Sequence, residues 1–209
     1  MIILEKESKG MKMKNMFLTN SVKYITKYNN NYTAIDLEKI KYGLEGIYLT
    51  ITKLIIIIIL SIIFDILKPI ILVLIFLNII RYPAFGMHAD KSSTCLISSI
   101  IFIFGLTFTF SKFNINIYIK SAICILCFID YLIFAPADTI KRPLTNAKKR
   151  KYRKLAASIL SVTYIIMIFI IKNQLIVNTL FTSLIIEAIL INPITYRLFK
   201  MPFNNYKNC

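Results

Sequence analysis

The chain has 209 residues, 57% of them hydrophobic, and carries 26 lysines and arginines against 10 acidic residues, giving a net charge of +16. A soluble domain averages roughly 45–50% apolar residues, and the excess here lies in uninterrupted blocks such as 54–64 and 70–80. A helix satisfies its own backbone hydrogen bonds in lipid, whereas an open sheet does not. The composition predicts an all-α, polytopic membrane protein and excludes a soluble globular domain.

The distribution of charged residues and cysteines narrows the class of partner. The cations lie between and outside the apolar blocks, so the lipid bilayer is the expected partner and nucleic acid is not. The cysteines lack the regular spacing of a disulfide framework. The sequence has no Walker-type or dinucleotide-binding glycine motif and no second ligand pair beside Cys124 and Cys127, which read as packing residues. No cofactor and no metal are expected.

The N-terminal segment, residues 1–43, is basic and partly amphipathic. Apolar residues and lysines alternate roughly between Asn15 and Lys27, which predicts an amphipathic helix on the membrane surface. Thr33 and Asp36 have capping-box spacing and lead towards the first apolar block. No cleavable signal peptide is visible, so we expect the first span to be an uncleaved anchor.

Apolar blocks then predict a six-helix transmembrane domain over residues 44–192. The second block is the weakest, because its clean apolar run covers only 69–80 and a full span needs about 17–25 residues. It reads either as a tilted span or as a partly re-entrant one. The predicted spans are 44–64, 67–82, 94–111, 117–135, 155–172 and 174–192.

The basic residues set the expected topology. Loop 136–154 holds eight cations and the segment through Lys41 holds another eight, whereas the opposite turns hold only Lys68, Lys112 and Lys172. The positive-inside rule therefore predicts a multi-pass plasma-membrane protein whose cytoplasmic parts include both termini. These parts are the N-terminal segment, loops 81–94 and 136–154, and the tail 193–209.

The loop between spans two and three contains His88, the only histidine, seven residues before Cys95. A straight helix through both would separate them by about 10 Å, too far for contact. Pro83 and Gly86 favour a break, and a serine or threonine at 92–94 can cap the next helix. Cys95 would then lie in the first helical turn, where free N–H groups favour a thiolate, and His88 could fold back over it as a catalytic base.

At these positions the chain resembles the accessory gene regulator B (AgrB) family of quorum-sensing membrane endopeptidases. The likeness rests on Arg81, His88-Ala89 and Cys95 at matching spacing, and it extends from about residue 38 to residue 154. Phe85 departs from the pattern, which has a small glycine there. The other matching segments are 38–45, Ala135-Pro136-Ala137-Asp138-Thr139, Pro143-Leu144 and the basic run Lys148–Lys154.

The resemblance implies a specific chemistry. Cys95 would attack a peptide bond of an AgrD-like propeptide, with His88 activating the thiol, on the cytoplasmic side. The C-terminal part of the propeptide would leave, and an internal cysteine or serine would displace Cys95 to give a thiolactone or lactone. The resemblance also implies a homodimer.

The roles of several other residues stay open at this stage. Arg81 could position substrate or hold the loop, and Asp90 could orient His88 or face solvent. Asp130 could lie near the proposed dyad or serve helix packing, and Glu187 is a second intramembrane carboxylate and so a functional candidate. The cations of loop 136–154 could attract an acidic substrate tail or act only as a topology signal.

Two readings from other classes compete with a peptidase. Six spans and intramembrane carboxylates would also suit a transporter of peptides or small solutes. A non-catalytic membrane scaffold could recruit a peptide through its basic loops. Only a peptidase requires both His88 and Cys95 for precursor cleavage.

Overall fold

The computed structural model describes residues 9–28, 32–87, 92–113, 115–139 and 143–208. The described residues are helical apart from their connections, and the chain divides into two compact units, Met1–Ile56 and Ile57–Cys209. The α-helices are α1 Lys9–Tyr28, α2 Ala34–Ile63, α3 Leu67–Ala84, α4 Ser92–Ser99, α5 Leu106–Lys112, α6 Ile117–Phe134, α7 Ala147–Ile170, α8 Gln174–Ile191 and α9 Pro193–Leu198.

Among the described residues, six helical segments are long and apolar enough to cross a membrane, which confirms the predicted all-α, multi-pass class. The predicted weak second span is one continuous 18-residue helix, α3. Eighteen residues rise about 27 Å, close to the thickness of the hydrocarbon core. The six segments are Ala34–Ile63, Leu67–Ala84, Thr94–Lys112, Ile117–Phe134, Ala147–Ile170 and Gln174–Ile191.

In the first unit, α1 is the predicted N-terminal helix, with an ion pair of 2.8 Å from Lys14 Nζ to Glu45 Oε1 on α2. The start of α2 has the predicted capping box. The Asp36 backbone N–H donates to Thr33 Oγ1 at 3.3 Å, and the Thr33 N–H donates to Asp36 Oδ2 at 3.1 Å. This exchange satisfies two backbone donors that a helix start otherwise leaves without partners.

In the second unit, α8 is the central helix and packs against α3, α5, α6 and α7. Its residues are buried on almost every side, in keeping with a sequence that has no polar face. Polar side chains fix its depth: the Ser183 hydroxyl donates to Val73 O at 3.3 Å, and the Tyr131 hydroxyl donates to Leu184 O at 3.3 Å. The helices of this unit are therefore tied together by side chain to backbone hydrogen bonds as well as by apolar packing.

The third predicted span, 94–111, is interrupted in its middle. A π-helical segment, Ile100–Gly105, separates α4 from α5. The Thr107 hydroxyl donates back to the Ile103 carbonyl within this region. Local bulges of this type shift the register of side chains along a helix, and hydropathy alone does not reveal them.

Helix α7, which contains the fifth span, begins at Ala147, before the predicted start of that span at 155. Part of the predicted loop 136–154 is therefore helical. The Asn146 side chain accepts from the Lys149 N–H at 3.1 Å and caps α7 at Ala147. Lysine, arginine and alanine favour helix in water, whereas the prediction followed hydropathy alone. The basic run Lys148–Lys154 is consequently a helix that continues into the span.

Candidate active site

Cys95 occupies the predicted position at the start of the third span. It is the fourth residue of α4, half-buried, and not in a disulfide. Its carbonyl accepts the hydroxyls of Ser98 at 3.1 Å and Ser99 at 2.8 Å. The thiol therefore lies in the first turn of a helix whose interior serines bond back to their own backbone.

His88 and Asp90 lie outside the described residues, so their predicted roles stay predictions. The described chain before them ends at Met87. We define Tyr82–Met87 as the pre-histidine segment. Its anchoring decides where the chain enters the His88 loop.

Backbone hydrogen bonds join the pre-histidine segment to two distant parts of the chain. Ala137 donates from its N–H to Ala84 O and accepts from the Gly86 N–H, both at 3.0 Å. Met87 donates from its N–H to Leu190 O, near the end of α8, at 2.9 Å. The segment therefore has one partner after α6 and another at the end of α8.

Arg81 directly precedes the pre-histidine segment and bonds to its last residue. Its Nη2 donates to Met87 O at 2.9 Å, spanning the end of α3 and the turn that follows. A charged donor makes a stronger bond to a carbonyl than a neutral one does. Of the two roles open for Arg81, this contact supports holding the loop.

Two residues of the segment have backbone conformations that favour glycine. Phe85 has a φ of 67° and Gly86 a φ of 96°. A side chain in this region is strained, and Phe85 carries one. Gly86 is also crowded, because a Cβ there would lie 3.0 Å from Glu187 Oε1 and 3.4 Å from Leu190 Cβ.

Arg153 on α7 holds Phe85 from outside. Its guanidinium carbon lies 4.3 Å from the centre of the Phe85 ring, and Nη1 donates to Tyr82 O at 2.7 Å. Stacking on an aromatic ring and a charged hydrogen bond both favour arginine over lysine here. One cation of the basic run is thus a structural contact of the pre-histidine segment.

The rest of the basic helix divides by exposure. Arg150 stacks on the Tyr206 ring, 3.8 Å from guanidinium carbon to ring centre, and donates from Nη1 to Leu144 O at 3.3 Å. The lysine side chains of the run are exposed. The exposed lysines are Lys148, Lys149, Lys151 and Lys154.

Glu187 lies behind the pre-histidine segment on α8. The residue is fully buried, and neither carboxyl oxygen has a hydrogen-bond partner among the described residues. A buried carboxyl group beside Gly86 explains why this position has no room for a side chain.

Asp130 makes a hydrogen bond to the end of α8. Its Oδ1 accepts from Asn192 Nδ2 at 3.2 Å, which links α6 to the junction of α8 and α9. Asn192 also caps α9 through the Ile194 N–H at 3.0 Å. The bond supports the packing reading of Asp130 over a place beside the proposed dyad.

Cys124 and Cys127 are buried in α6, as packing residues are. In the described part of the chain, no group of three or more His, Cys, Asp or Glu is placed to hold a metal ion.

Comparison with known proteins decides the family. The sequence profile described as accessory gene regulator B matches residues 18–191, most of the chain. The chain belongs to the AgrB family. It is similar to an AgrB-like protein of Clostridium acetobutylicum, with 34% identity over 174 residues covering 83% of each chain.

Other relatives agree. An AgrB-like protein of Listeria innocua is 31% identical, over 81% of this chain and 83% of the relative. The accessory gene regulator protein B of Staphylococcus epidermidis is 28% identical, over 80% of this chain and 85% of the relative. No solved structure matches the chain. Family membership implies a role in accessory gene regulator quorum sensing and bears out the resemblance noted from Arg81, His88 and Cys95.

Sequence reasoning missed two residues of this AgrB-family site. Arg153 was counted among the loop cations that could attract an acidic substrate tail or act as a topology signal, and Asp138 was noted only as part of a matching motif. Asp138 is 1% exposed, and its carboxylate accepts backbone N–H groups from Leu144, Asn205 and Tyr206 at 3.2, 2.9 and 2.8 Å. No local pattern signals contacts between residues so far apart in the chain.

Proposed function

We propose that this AgrB-family protein is a membrane-embedded cysteine endopeptidase that cleaves the C-terminal part of an AgrD-like propeptide and supports its cyclisation. The observation that carries the proposal is the position of Cys95 in the first turn of α4, directly after the His88 loop. The entry to that loop is fixed through Met87 by Arg81 and by Leu190. A fixed entry limits where the only imidazole of the chain can lie.

The first half of the reaction is an acyl transfer to sulfur. The Cys95 thiol gives its proton to the His88 imidazole, and the thiolate attacks the carbonyl carbon of the scissile peptide bond. The carbon–nitrogen bond breaks, and the departing amine takes the proton from the imidazolium. The N-terminal part of the propeptide remains on Cys95 as a thioester.

The second half forms the ring. An internal cysteine or serine of the bound propeptide gives its proton to the His88 imidazole and attacks the thioester carbonyl carbon. The bond to Cys95 Sγ breaks, and the imidazolium returns the proton to the departing thiolate. The product is a thiolactone or a lactone, and no water is consumed. A thioester suits this step because it stays reactive towards a second thiol or hydroxyl.

Cys95 lies at the start of α4, where a helix has free backbone N–H groups. The first turn of a helix carries N–H groups without intrahelical partners and a partial positive charge. Asp90, the nearest carboxylate in sequence to His88, remains the candidate to orient the imidazole.

The charge pattern supports both orientation and substrate capture. We place the N-terminal segment 1–43, the loops around His88 and Asp138, and the tail 193–209 on the cytoplasmic side. The six-helix domain 44–192 then spans the plasma membrane, with homodimerisation proposed from family likeness alone. On that side the exposed lysines of α7 would attract an acidic end of the propeptide.

The test is co-expression of the cognate propeptide with wild type, Cys95→Ala and His88→Ala, followed by mass spectrometry of the peptide. Cleavage should be lost in both variants. Cys124→Ala is the matched control, because it removes a cysteine that packs inside α6, and cleavage should persist. Unchanged cleavage in both active-site variants would end the peptidase proposal and leave a transporter or scaffold role.

A further inference from the structure

We propose that Asp138 and the C-terminal residues Asn205 and Tyr206 form a clamp that positions the pre-histidine segment for catalysis. The proposal deepens the proposed function and rests on it. Asp138 would act as a positioning residue, because it reaches the His88 loop through the backbone of its neighbour, Ala137. The clamp gives the C-terminal tail a role that its sequence does not indicate.

The Asp138 carboxylate is the centre of the clamp. Its Oδ1 accepts the Asn205 N–H at 2.9 Å, and its Oδ2 accepts the Tyr206 N–H at 2.8 Å and the Leu144 N–H at 3.2 Å. Both carboxylate oxygens thus accept from backbone N–H groups, and two of the three donors belong to the C-terminal tail. A buried carboxylate needs such donors, because an ionised group without them is strongly disfavoured.

Aromatic side chains pack around the residues of the clamp. The Tyr196 hydroxyl lies 3.2 Å from Ala137 O and 3.1 Å from Asp138 O, and its ring lies 5.1 Å from the Phe203 ring. Burial, reinforced by the charge of Asp138, raises the pKa of Tyr196 well above its ordinary value. The hydroxyl therefore stays protonated as a donor, and the Arg150 guanidinium covers the Tyr206 ring.

The clamp reaches the His88 loop through one residue. Ala137 directly precedes Asp138, and its carbonyl accepts both the Tyr196 hydroxyl and the Gly86 N–H. Its own N–H donates to Ala84 O. Ala137 therefore bonds to the residues directly before and directly after Phe85. If Asp138 loses its hold on the tail, Ala137 loses its fixed position and Gly86 loses its partner.

Backbone donors allow a sharp pair of substitutions at Asn205. Asn205→Pro removes the N–H that Oδ1 accepts together with the side chain, whereas Asn205→Ala removes the side chain and keeps the N–H. Asn205 is the first residue of a 3-10 helix, and its N–H is used by Asp138. The difference between the two variants therefore reports on the backbone bond of the clamp.

The experiment measures hydrogen exchange of peptides covering 82–87 and steady-state cleavage in the full-length protein. In Asp138→Asn, exchange at Gly86 should rise about tenfold or more, as expected for loss of charge-assisted hydrogen bonds. Asn205→Pro should raise it by more than Asn205→Ala does. In Asp138→Asn and in Asn205→Pro, kcat should fall by about the factor by which exchange at Gly86 rises. KM should change less than about twofold.

Asp65→Asn is the charge-matched control, because Asp65 is exposed in the turn before α3, at the other end of that helix. Its exchange and kinetics should match wild type. The double variant Asp138→Asn with Asn205→Pro should be no worse than the more severe single variant, because both break one clamp. Additive losses would overturn a shared mechanism.

The outcomes separate this proposal from the proposed function. If the Asp138→Asn variant folds and the Gly86 N–H exchanges at the wild-type rate, the clamp proposal is wrong, whatever the result for cleavage. If that variant does not fold, the same measurement on Asn205→Pro decides. Faster exchange with unchanged kcat, while Cys95→Ala is inactive, overturns its catalytic role alone. Cleavage by Cys95→Ala refutes the peptidase and leaves the exchange result to decide whether the clamp exists.

Discussion

Gly86→Ala should destabilise the protein and slow cleavage. The residue has a φ of 96°, and the new Cβ would lie 3.0 Å from Glu187 Oε1 and 3.4 Å from Leu190 Cβ. A side chain in a sparsely populated backbone region costs about 1–3 kcal/mol. Since the Glu187 carboxyl is fully buried and α8 is packed on nearly every side, the crowded atoms have little room to move, and we expect the upper half of that range.

The assay is reversible unfolding in mixed micelles, paired with the rate of propeptide cleavage. Gly105→Ala is the matched control, because Gly105 has a helical φ of −61° and its Cβ would meet no atom closer than 3.9 Å. Alanine there should be neutral or stabilise the protein by up to about 1 kcal/mol. If Gly86→Ala unfolds within about 0.5 kcal/mol of wild type, the strain and crowding assigned to this turn are wrong.

Two further predictions concern the basic helix. Arg153→Lys should lower kcat several-fold, whereas Lys154→Arg should leave it unchanged. The reason is that the guanidinium at 153 stacks on Phe85 and bonds Tyr82 O. Equal rates for the two variants would refute the contact. Lys148→Glu with Lys151→Glu should raise KM and reduce the salt dependence of cleavage, because the lost cations face solvent. A KM that stays at the wild-type value, with an unchanged salt dependence of cleavage, would leave these lysines only as a topology signal.

The fold followed from the sequence where hydropathy governs it. Six apolar blocks predicted six spans, and the spacing of Thr33 and Asp36 predicted the start of α2, because both signals are local. The start of α7 at Ala147 was missed, since a helix that leaves the membrane no longer needs apolar residues. The π-helical segment Ile100–Gly105 was missed because its cause lies in packing and not in composition.

The site followed from the sequence only in part. Cys95 was predicted in a first helical turn and is the fourth residue of α4, but the proposed capping residues 92–94 lie inside that helix. The anchoring of the pre-histidine segment joins residues more than fifty positions apart, such as Gly86 with Ala137 and Met87 with Leu190. One sequence has no signal for such pairings, so the roles of Arg153 and Asp138 emerged only from the fold.

The central claim is that Cys95 carries the propeptide as a thioester, and trapping that species tests it most directly. A propeptide whose internal cysteine or serine is replaced by alanine lacks the ring-forming nucleophile, so the acyl group should accumulate on the enzyme. Intact-mass and peptide analysis should then find a hydroxylamine-sensitive adduct on the peptide containing Cys95, absent from Cys95→Ala. Release of the C-terminal fragment without any adduct on Cys95 would contradict the account.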